Sequence, residues 1–373
     1  MRIHYVSGSR ADFGLMHHCL STIHASRRHN LGLVLSGQHL SAAYGDTAAE
    51  IRASNLPVVH ELPVELHGTD GAEMAGALAA ELAGLTRFWQ DERPDLVLLL
   101  GDRGEMVAAA LAAVHLGIFV AHIHGGERSG TLDESFRHVI SKLVHFHFPA
   151  TEEAATRLMR MGEAQDAITV IGAPGLVGLT EDVSSDRSWL AARFGLSGRT
   201  ALVVFHPVVQ EAEASGAQVR ILVETLLEDS WRALVFRPNS DAGGQAIDRY
   251  LDTLKGRGDL HVVSHIQRDA YLRALASSDL MIGNSSSGII ESASFGVPCV
   301  NLGSRQDDRL RNDNTIDCPD IAPDAIRAAI AAAGALAGPF VNRYGTGDTN
   351  RRLLAALDGL ELRPDRLKKR ITY

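Results

Sequence analysis

Two apolar runs in the first half of this chain each end in a burst of ionisable residues. Gly101-Asp102-Arg103-Gly104-Glu105 follows Leu96–Leu100, and His122-Ile123-His124-Gly125-Gly126-Glu127 closes the next run. Asp133-Glu134 and Arg137-His138 then open an amphipathic segment. Charged groups are depleted in protein cores, so such a cluster beside buried strands needs a chemical reason. Carboxylates and imidazoles brought to one sheet edge can hold their pKa values apart, giving one acid and one base near neutrality. Asp102, Glu127 and Asp133 are the candidate proton-transfer groups. A helix cap is the plainer role for Asp133, and a solvated first-turn acid the plainer role for Glu134. His122 and His124 share one strand face but lack a third ligand, so no metal is expected. His145 and His147 read as packed, hydrogen-bonded residues.

Two further turns suit anions. Ser7-Gly8-Ser9-Arg10-Ala11-Asp12 ends the first strand with small residues, free helix N–H groups and one guanidinium. The same Ser and Asp would also serve a plain helix cap. Gly283-Asn284-Ser285-Ser286-Ser287-Gly288 puts three serines where a helix begins, suited to a pyrophosphate. Glu291, one turn on, is placed to grip ribose hydroxyls as in dinucleotide folds, or to stand solvated. Arg305 follows the next strand and can reach an anion bidentately. His206, Asn239 and Asp241 leave neighbouring strands, and His39 ends the second strand's loop. Neither turn carries the Gly-Lys-Ser/Thr of a nucleoside triphosphatase loop, and no Asp-x-Asp is present to hold a metal against a sugar nucleotide. No cofactor is expected.

The elements that must position these groups alternate. Strands are expected at Ile3–Val6, Leu31–Leu35, Val58–Glu61, Leu96–Leu100, Ile118–His122, His145–Phe148 and Ile168–Ile171. Helical stretches such as Gly71–Gln90, Gly104–His115 and Glu134–Leu143 lie between them. That rhythm means a parallel sheet covered on both faces. After Gly172-Ala173-Pro174-Gly175, a candidate hinge, and the polar stretch Thr180–Arg187, it restarts. Strands follow at Ala201–Phe205, Ala233–Phe236, Leu260–Val263, Leu280–Gly283 and Cys299–Leu302, with helices at Ala212–Glu228, Arg268–Ser277 and Ala322–Ala337. The expected fold is α/β, with two doubly wound Rossmann-like domains facing a cleft. Residues 1–172 carry the acids and 173–348 bind nucleotide, with 349–373 a candidate to complete the first domain.

Composition agrees with a small-molecule enzyme. The 373 residues are 45% hydrophobic and 22% charged, which is globular. A net charge of −9 argues against nucleic acid as a partner. Three scattered cysteines suggest a reducing compartment. Met106–Glu127 is uncharged before Glu127, but Gly117 and three histidines interrupt it well short of a span of about 20 apolar residues. A cytoplasmic protein with no membrane partner is the expectation.

The motifs from Gly8 to Gln306 resemble the hydrolysing UDP-N-acetylglucosamine 2-epimerase family. The shared segments are Gly8-Ser9-Arg10-Ala11-Asp12, Gly101-Asp102-Arg103, His122-Ile123-His124-Gly125-Gly126-Glu127, Asp133-Glu134 with Arg137-His138, His206-Pro207, Asn239 with Asp241, the serine turn with Glu291, and Gly303-Ser304-Arg305-Gln306. The resemblance implies a GT-B architecture and a UDP-sugar ligand, in a chain expected to form a homo-oligomer. It implies that Arg10, Arg103, His206, Asn239, Ser285, Ser286, Glu291 and Arg305 surround the nucleotide and pyrophosphate; His39, His124, Arg137, His138, Asp241 and Ser287 are further candidate substrate contacts. Asp102, Glu127, Asp133 and His206 would serve the chemistry. Related enzymes can carry Glu in place of His124, which leaves the first base open. The implied reaction converts UDP-N-acetylglucosamine to N-acetylmannosamine and UDP, the first step of a sialic acid-type route.

The same reaction on UDP-2,4-diacetamido-2,4,6-trideoxyglucose, towards legionaminic acid, is the nearest rival. These motifs read the nucleotide and C1–C2, not C4 and C6, and family abundance puts UDP-N-acetylglucosamine first. A GT-B glycosyltransferase or a sugar-nucleotide sensor has no use for the convergent acids. A non-hydrolysing epimerase differs only in its product.

Overall fold

A computed structural model describes residues 1–40, 47–64, 71–179, 185–239, 241–264 and 266–372. The Thr180–Ser184 part of the polar stretch expected between the two halves lies outside them. Two compact units emerge: Met1–Glu127 with Asp133–Val177 and Tyr344–Tyr373, and Arg128–Leu132 with Gly178–Arg343.

The first unit holds β1 (Arg2–Ser7), β2 (Asn30–Leu35), β3 (Val58–Glu61), β4 (Leu96–Leu100), β5 (Phe119–Ile123) and β6 (Phe146–Phe148). They form one parallel sheet in the order β3-β2-β1-β4-β5-β6. All five residues of β4 and of β5 are buried, because helices cover both faces. The membrane-like stretch resolves into the helix Gly104–His115 and β5. Among the described residues no helix is long and apolar enough to cross a membrane.

The helix Thr349–Asp358 packs on the helix Arg10–Ser26, adding Leu353, Leu354 and Leu357 to the core around Phe13, Met16 and Leu20. Its entry is pinned by Ala173 N–H donating to the Tyr344 carbonyl (2.8 Å) and by Thr349 Oγ1 donating to the Ala173 carbonyl (3.1 Å).

The second unit repeats the plan with β7 (Thr200–Val204), β8 (Arg232–Phe236), β9 (Leu260–Val263), β10 (Leu280–Gly283), β11 (Cys299–Leu302) and β12 (Thr315–Cys318). Its order is β12-β11-β10-β7-β8-β9, again all parallel. The strand order reverses between β1 and β4 in one sheet and between β7 and β10 in the other. Open α/β sheets bind ligands at such switch points, beyond the carboxyl ends of the strands.

One strand expectation is corrected, and one strand was not expected. Ile168–Ile171 makes one bridge, Ile168 to His147, and two ladder bonds, before Gly172 at φ +85° turns the chain away. β12 escaped the sequence because Thr315-Ile316-Asp317 is half-exposed at a sheet edge and lacks an apolar run. Cys19, Cys299 and Cys318 are buried thiols.

Gly283 sits at φ +141°, and a methyl group there would run into the Val204 carbonyl. Gly283→Ala should therefore destabilise the second unit by about 2–3 kcal/mol. Thermal unfolding should show a drop in midpoint of about 5 °C or more; an unchanged midpoint would mean that the strand end relaxes freely.

Candidate active site

The turn after β1 is a capping box: Ser9 caps the helix Arg10–Ser26 and Asp12 reaches back to the Gly8 (3.0 Å) and Ser9 (2.7 Å) amides. Ser7 Oγ donates to Asp12 as well. Burial raises the Asp12 carboxyl to about 6, although the bonds from Ser7, Ser9 and Gly8 oppose it. Arg10, at the first helical position, pairs with Glu50 at 3.3 Å and keeps one buried guanidinium nitrogen without a partner. His39 is spent inside the protein: its Nε2 meets Ser7 Oγ and its Nδ1 meets Thr47 Oγ1, both at 2.8 Å. Burial draws that imidazole down to about 4, so it is neutral.

Asp102 emerges beyond β4, after Gly101 at φ +81°. Its carboxylate accepts from Arg137, whose side chain is only 2% exposed. A guanidinium so buried requires an anion, and Asp102 supplies it. His122 does not face a ligand. Its Nε2 bonds the Gly101 carbonyl (2.6 Å) and its Nδ1 lies 3.4 Å from Ser141 Oγ, with burial lowering the imidazole to about 3. Arg103 lies beside Glu105, Nε to Oε1 3.4 Å.

His124 has φ +64°, an unusual backbone for a side chain this large. Such strain persists where the surroundings enforce it, and here they do. A Cβ on Gly125 would lie 2.9 Å from His122 Nδ1, and one on Gly126 would overlap the Ala154 carbonyl. The bare Gly-Gly turn folds Glu127 back so that its buried carboxylate contacts His124 Nδ1. That contact engages Nδ1 and leaves Nε2 on the other side of the ring. Asp133 is half-buried at the start of the helix Leu132–Leu143, and Glu134 pairs with His138 at 3.2 Å instead of standing solvated.

In the second unit the turns after β7 and β10 are tied by Asn284. Its side chain accepts the His206 N–H (2.7 Å) and donates to the His206 carbonyl (2.8 Å). His206 Nδ1 accepts the Asn239 N–H (3.2 Å), so the ring carries its proton on Nε2. Asn239 donates to Asp241 at 2.6 Å. Arg305 Nη1 (3.1 Å) and Gln306 Nε2 (2.9 Å) both donate to the Asn284 carbonyl.

The three serines do not all precede the helix: Ser285 caps it, while Ser286 and Ser287 lie inside the five-residue helix Ser286–Ile290. Asparagines satisfy carbonyls that so short a helix leaves orphaned, the buried Asn312 at Ile289 (2.8 Å) and the half-buried Asn342 at Ile290 (2.6 Å). Glu291 is neither solvated nor open. It is 2% exposed, salt-bridged to Arg268, and accepts from Ser287 Oγ at 2.5 Å. Tyr271 donates to that same hydroxyl at 2.7 Å.

Sequence reasoning missed Asn284, Arg268, Tyr271 and the acids Glu81 and Glu105. Asn284 had a signal, a polar residue directly after a buried strand. Glu81 shares a helix face with Leu85 and Trp89, and an acid on an apolar stripe is the trace it leaves. Its carboxyl is 1% exposed and accepts from Ser36 Oγ. Arg268 and Tyr271 meet Glu291 only through packing between elements, which no local pattern encodes.

A family model described as UDP-N-acetylglucosamine 2-epimerase matches residues 21–358. The UDP-N,N'-diacetylbacillosamine 2-epimerase (hydrolyzing) of Legionella pneumophila is 43% identical over 377 residues, covering 100% of this chain and 99% of that protein. The UDP-N-acetylglucosamine 2-epimerase of Neisseria meningitidis serogroup B is 33% identical over 310 residues, 83% of this chain and 81% of that one. Among solved structures, the Methanocaldococcus jannaschii UDP-GlcNAc 2-epimerase in complex with UDP-GlcNAc and UDP superposes with a TM-score of 0.79 at 18% identity, over 96% of this chain and 99% of that one. At that identity the likeness establishes the fold, the GT-B architecture of two doubly wound domains.

Burial, and then the neighbouring Glu105 carboxylate, push the Glu81 carboxyl from its usual 4.5 to about 8. The folded protein thus keeps a proton that the unfolded chain releases, and stability falls as pH rises between those values. Glu81→Gln, which keeps the oxygen facing Ser36, should gain in unfolding midpoint over the parent by about 5 °C between about pH 5 and pH 8. A difference that stays constant with pH would mean Glu81 is ionised in the fold.

Proposed function

Because the chain belongs to the UDP-N-acetylglucosamine 2-epimerase family, we propose that it is a hydrolysing 2-epimerase acting on a UDP-linked 2-acetamido sugar. The observation that carries this reading is the 43% identity to the Legionella enzyme along the whole chain. The same observation reverses the expected substrate order. The Legionella enzyme is described as acting on UDP-N,N'-diacetylbacillosamine, which is UDP-2,4-diacetamido-2,4,6-trideoxyglucose, and it exceeds the Neisseria UDP-N-acetylglucosamine enzyme in both identity and coverage. The diacetamido sugar is therefore the proposed substrate, and UDP-N-acetylglucosamine the second.

In the proposed reaction a base removes the C2 proton while the C1–oxygen bond to UDP breaks. The C–H electron pair forms the C1=C2 bond of a glycal, and UDP leaves with the bridging oxygen. Water then adds its oxygen at C1, and a proton is delivered to the opposite face of C2, giving the free manno sugar. The C2 proton is only weakly acidic, so leaving-group departure must run ahead. Charge growing on the pyrophosphate needs donors already in place. Arg10, Arg103, Ser285, Ser286 and Arg305 are the proposed donors, with His206 and Asn239 around the nucleoside.

His124 is the proposed first base: Glu127 holds Nδ1 and stabilises the imidazolium that forms. Asp102, fixed by Arg137, and Asp133 are the proposed acids on the other face. Neither a cofactor nor a metal enters these steps.

Proton NMR in D₂O tests the reading. Free UDP and a manno sugar deuterated at C2 should accumulate from the diacetamido sugar nucleotide, with UDP-N-acetylglucosamine turned over at least about 10-fold less efficiently. A sugar that keeps its C2 proton, or one released still linked to UDP, would overturn it. Asp133→Asn should still release UDP but accumulate the glycal; full activity would remove Asp133 from the mechanism.

A further inference from the structure

Residues 361–372 form a strap across the first unit, far in sequence from the candidate acids. Thr372 N–H donates to the Gly162 carbonyl (2.9 Å), and Arg366 pairs with Asp166 (2.5 Å). At its centre Lys369 Nζ donates to the Ser141 and Val144 carbonyls, each at 2.7 Å, and lies 2.6 Å from Glu163. An ammonium has three N–H donors, and all three are used. Glu163 also takes Lys142 (2.6 Å) and His147 Nε2 (3.0 Å), so the cluster is closed.

Ser141 belongs to the last turn of the helix Leu132–Leu143 and Val144 follows it, where carbonyls lack helical partners and a cation is favoured. Two lines run from there to Asp102. Along the helix, Arg137 grips the Asp102 carboxylate. Across it, Ser141 Oγ meets His122 Nδ1 (3.4 Å), whose Nε2 holds the carbonyl of Gly101, the residue before Asp102.

We propose that Lys369 is a positioning residue that, by holding the end of the helix Leu132–Leu143, sets the place of Asp102 for catalysis. This rests on the epimerase reading. Misplacing a reacting group by about 1 Å can cost on the order of 100-fold in rate, so a staple at the helix end has leverage.

Lys369→Met keeps side-chain length and removes the three donors. In the full-length enzyme it should lower kcat about 10-fold while KM for the sugar nucleotide stays within about 2-fold, because most of the proposed nucleotide contacts (Arg10, Ser285, Ser286, Arg305, His206 and Asn239) are not on the segment that Lys369 holds. Lys369→Arg should recover most of the loss. Hydrogen exchange of the ligand-free protein should quicken at residues 101–103 in Lys369→Met. Loss of thermal stability alone, with kcat and exchange at 101–103 unchanged, would overturn the proposal.

Should Lys369→Met fail to fold, Ser141→Ala carries the test. It keeps the carbonyl for Lys369 but removes the hydroxyl beside His122, and should lower kcat without lowering the unfolding midpoint; unchanged kcat would count against the relay. Wild-type inactivity on both sugar nucleotides would sink the epimerase reading, while the exchange measurement, which needs no substrate, still decides the role of Lys369.

Discussion

Arg137 is among the largest fully buried side chains of the described residues, and a guanidinium in that position dictates what surrounds it. A cation removed from water must meet an anion or the fold loses several kcal/mol. Asp102 meets it from the end of β4, on an element distant in sequence. The pairing fixes an acid that would otherwise be one more loop carboxylate, and it ties the helix Leu132–Leu143 to the sheet at the point where a second acid, Asp133, begins that helix. His122, Ser141 and Lys369 brace the same pair from behind.

The second unit solves a different problem with amides in place of charges. A five-residue helix cannot satisfy its own ends, so Asn312 and Asn342 supply donors for its orphan carbonyls, and Asn314 does the same for Val297 and Ser292 Oγ. Asn284 binds both backbone groups of His206 and offers its own carbonyl to Arg305 and Gln306. Neutral partners suit the anion-binding role proposed for these turns, because they order the backbone without adding negative charge. The acid in the serine turn's own helix cap, Glu291, is already neutralised by Arg268.

Both sheets reverse strand order at their centres, and the candidate residues leave from those reversals: Arg10 and Asp102 after β1 and β4, His206 and Ser285 after β7 and β10. Helices on either side of a switch point run to opposite faces and leave a crevice there. The acids of the first unit and the amide-ordered turns of the second are the features on which the proposed reaction rests.

The sequence by itself determined the strands buried on both faces, because Leu96–Leu100 or Leu280–Gly283 can be little else, and the doubly wound class that follows from their alternation with helices. It also marked Asp102, Glu127, His206 and Ser285, since polar residues directly after such runs must sit at the carboxyl edge of a sheet. Only the tertiary structure decided what each group is bound to. His39 looked available and is held by two hydroxyls; Glu291 looked solvated or open and is paired with Arg268; Glu81 looked like any helical acid and is buried beside Glu105. Partner choice depends on contacts between elements tens or hundreds of residues apart, as between Lys369 and Ser141, and no local spacing records them. The short edge strand Thr315–Cys318 was hidden for a related reason: half in water, it needs the neighbour β11 more than an apolar pattern of its own.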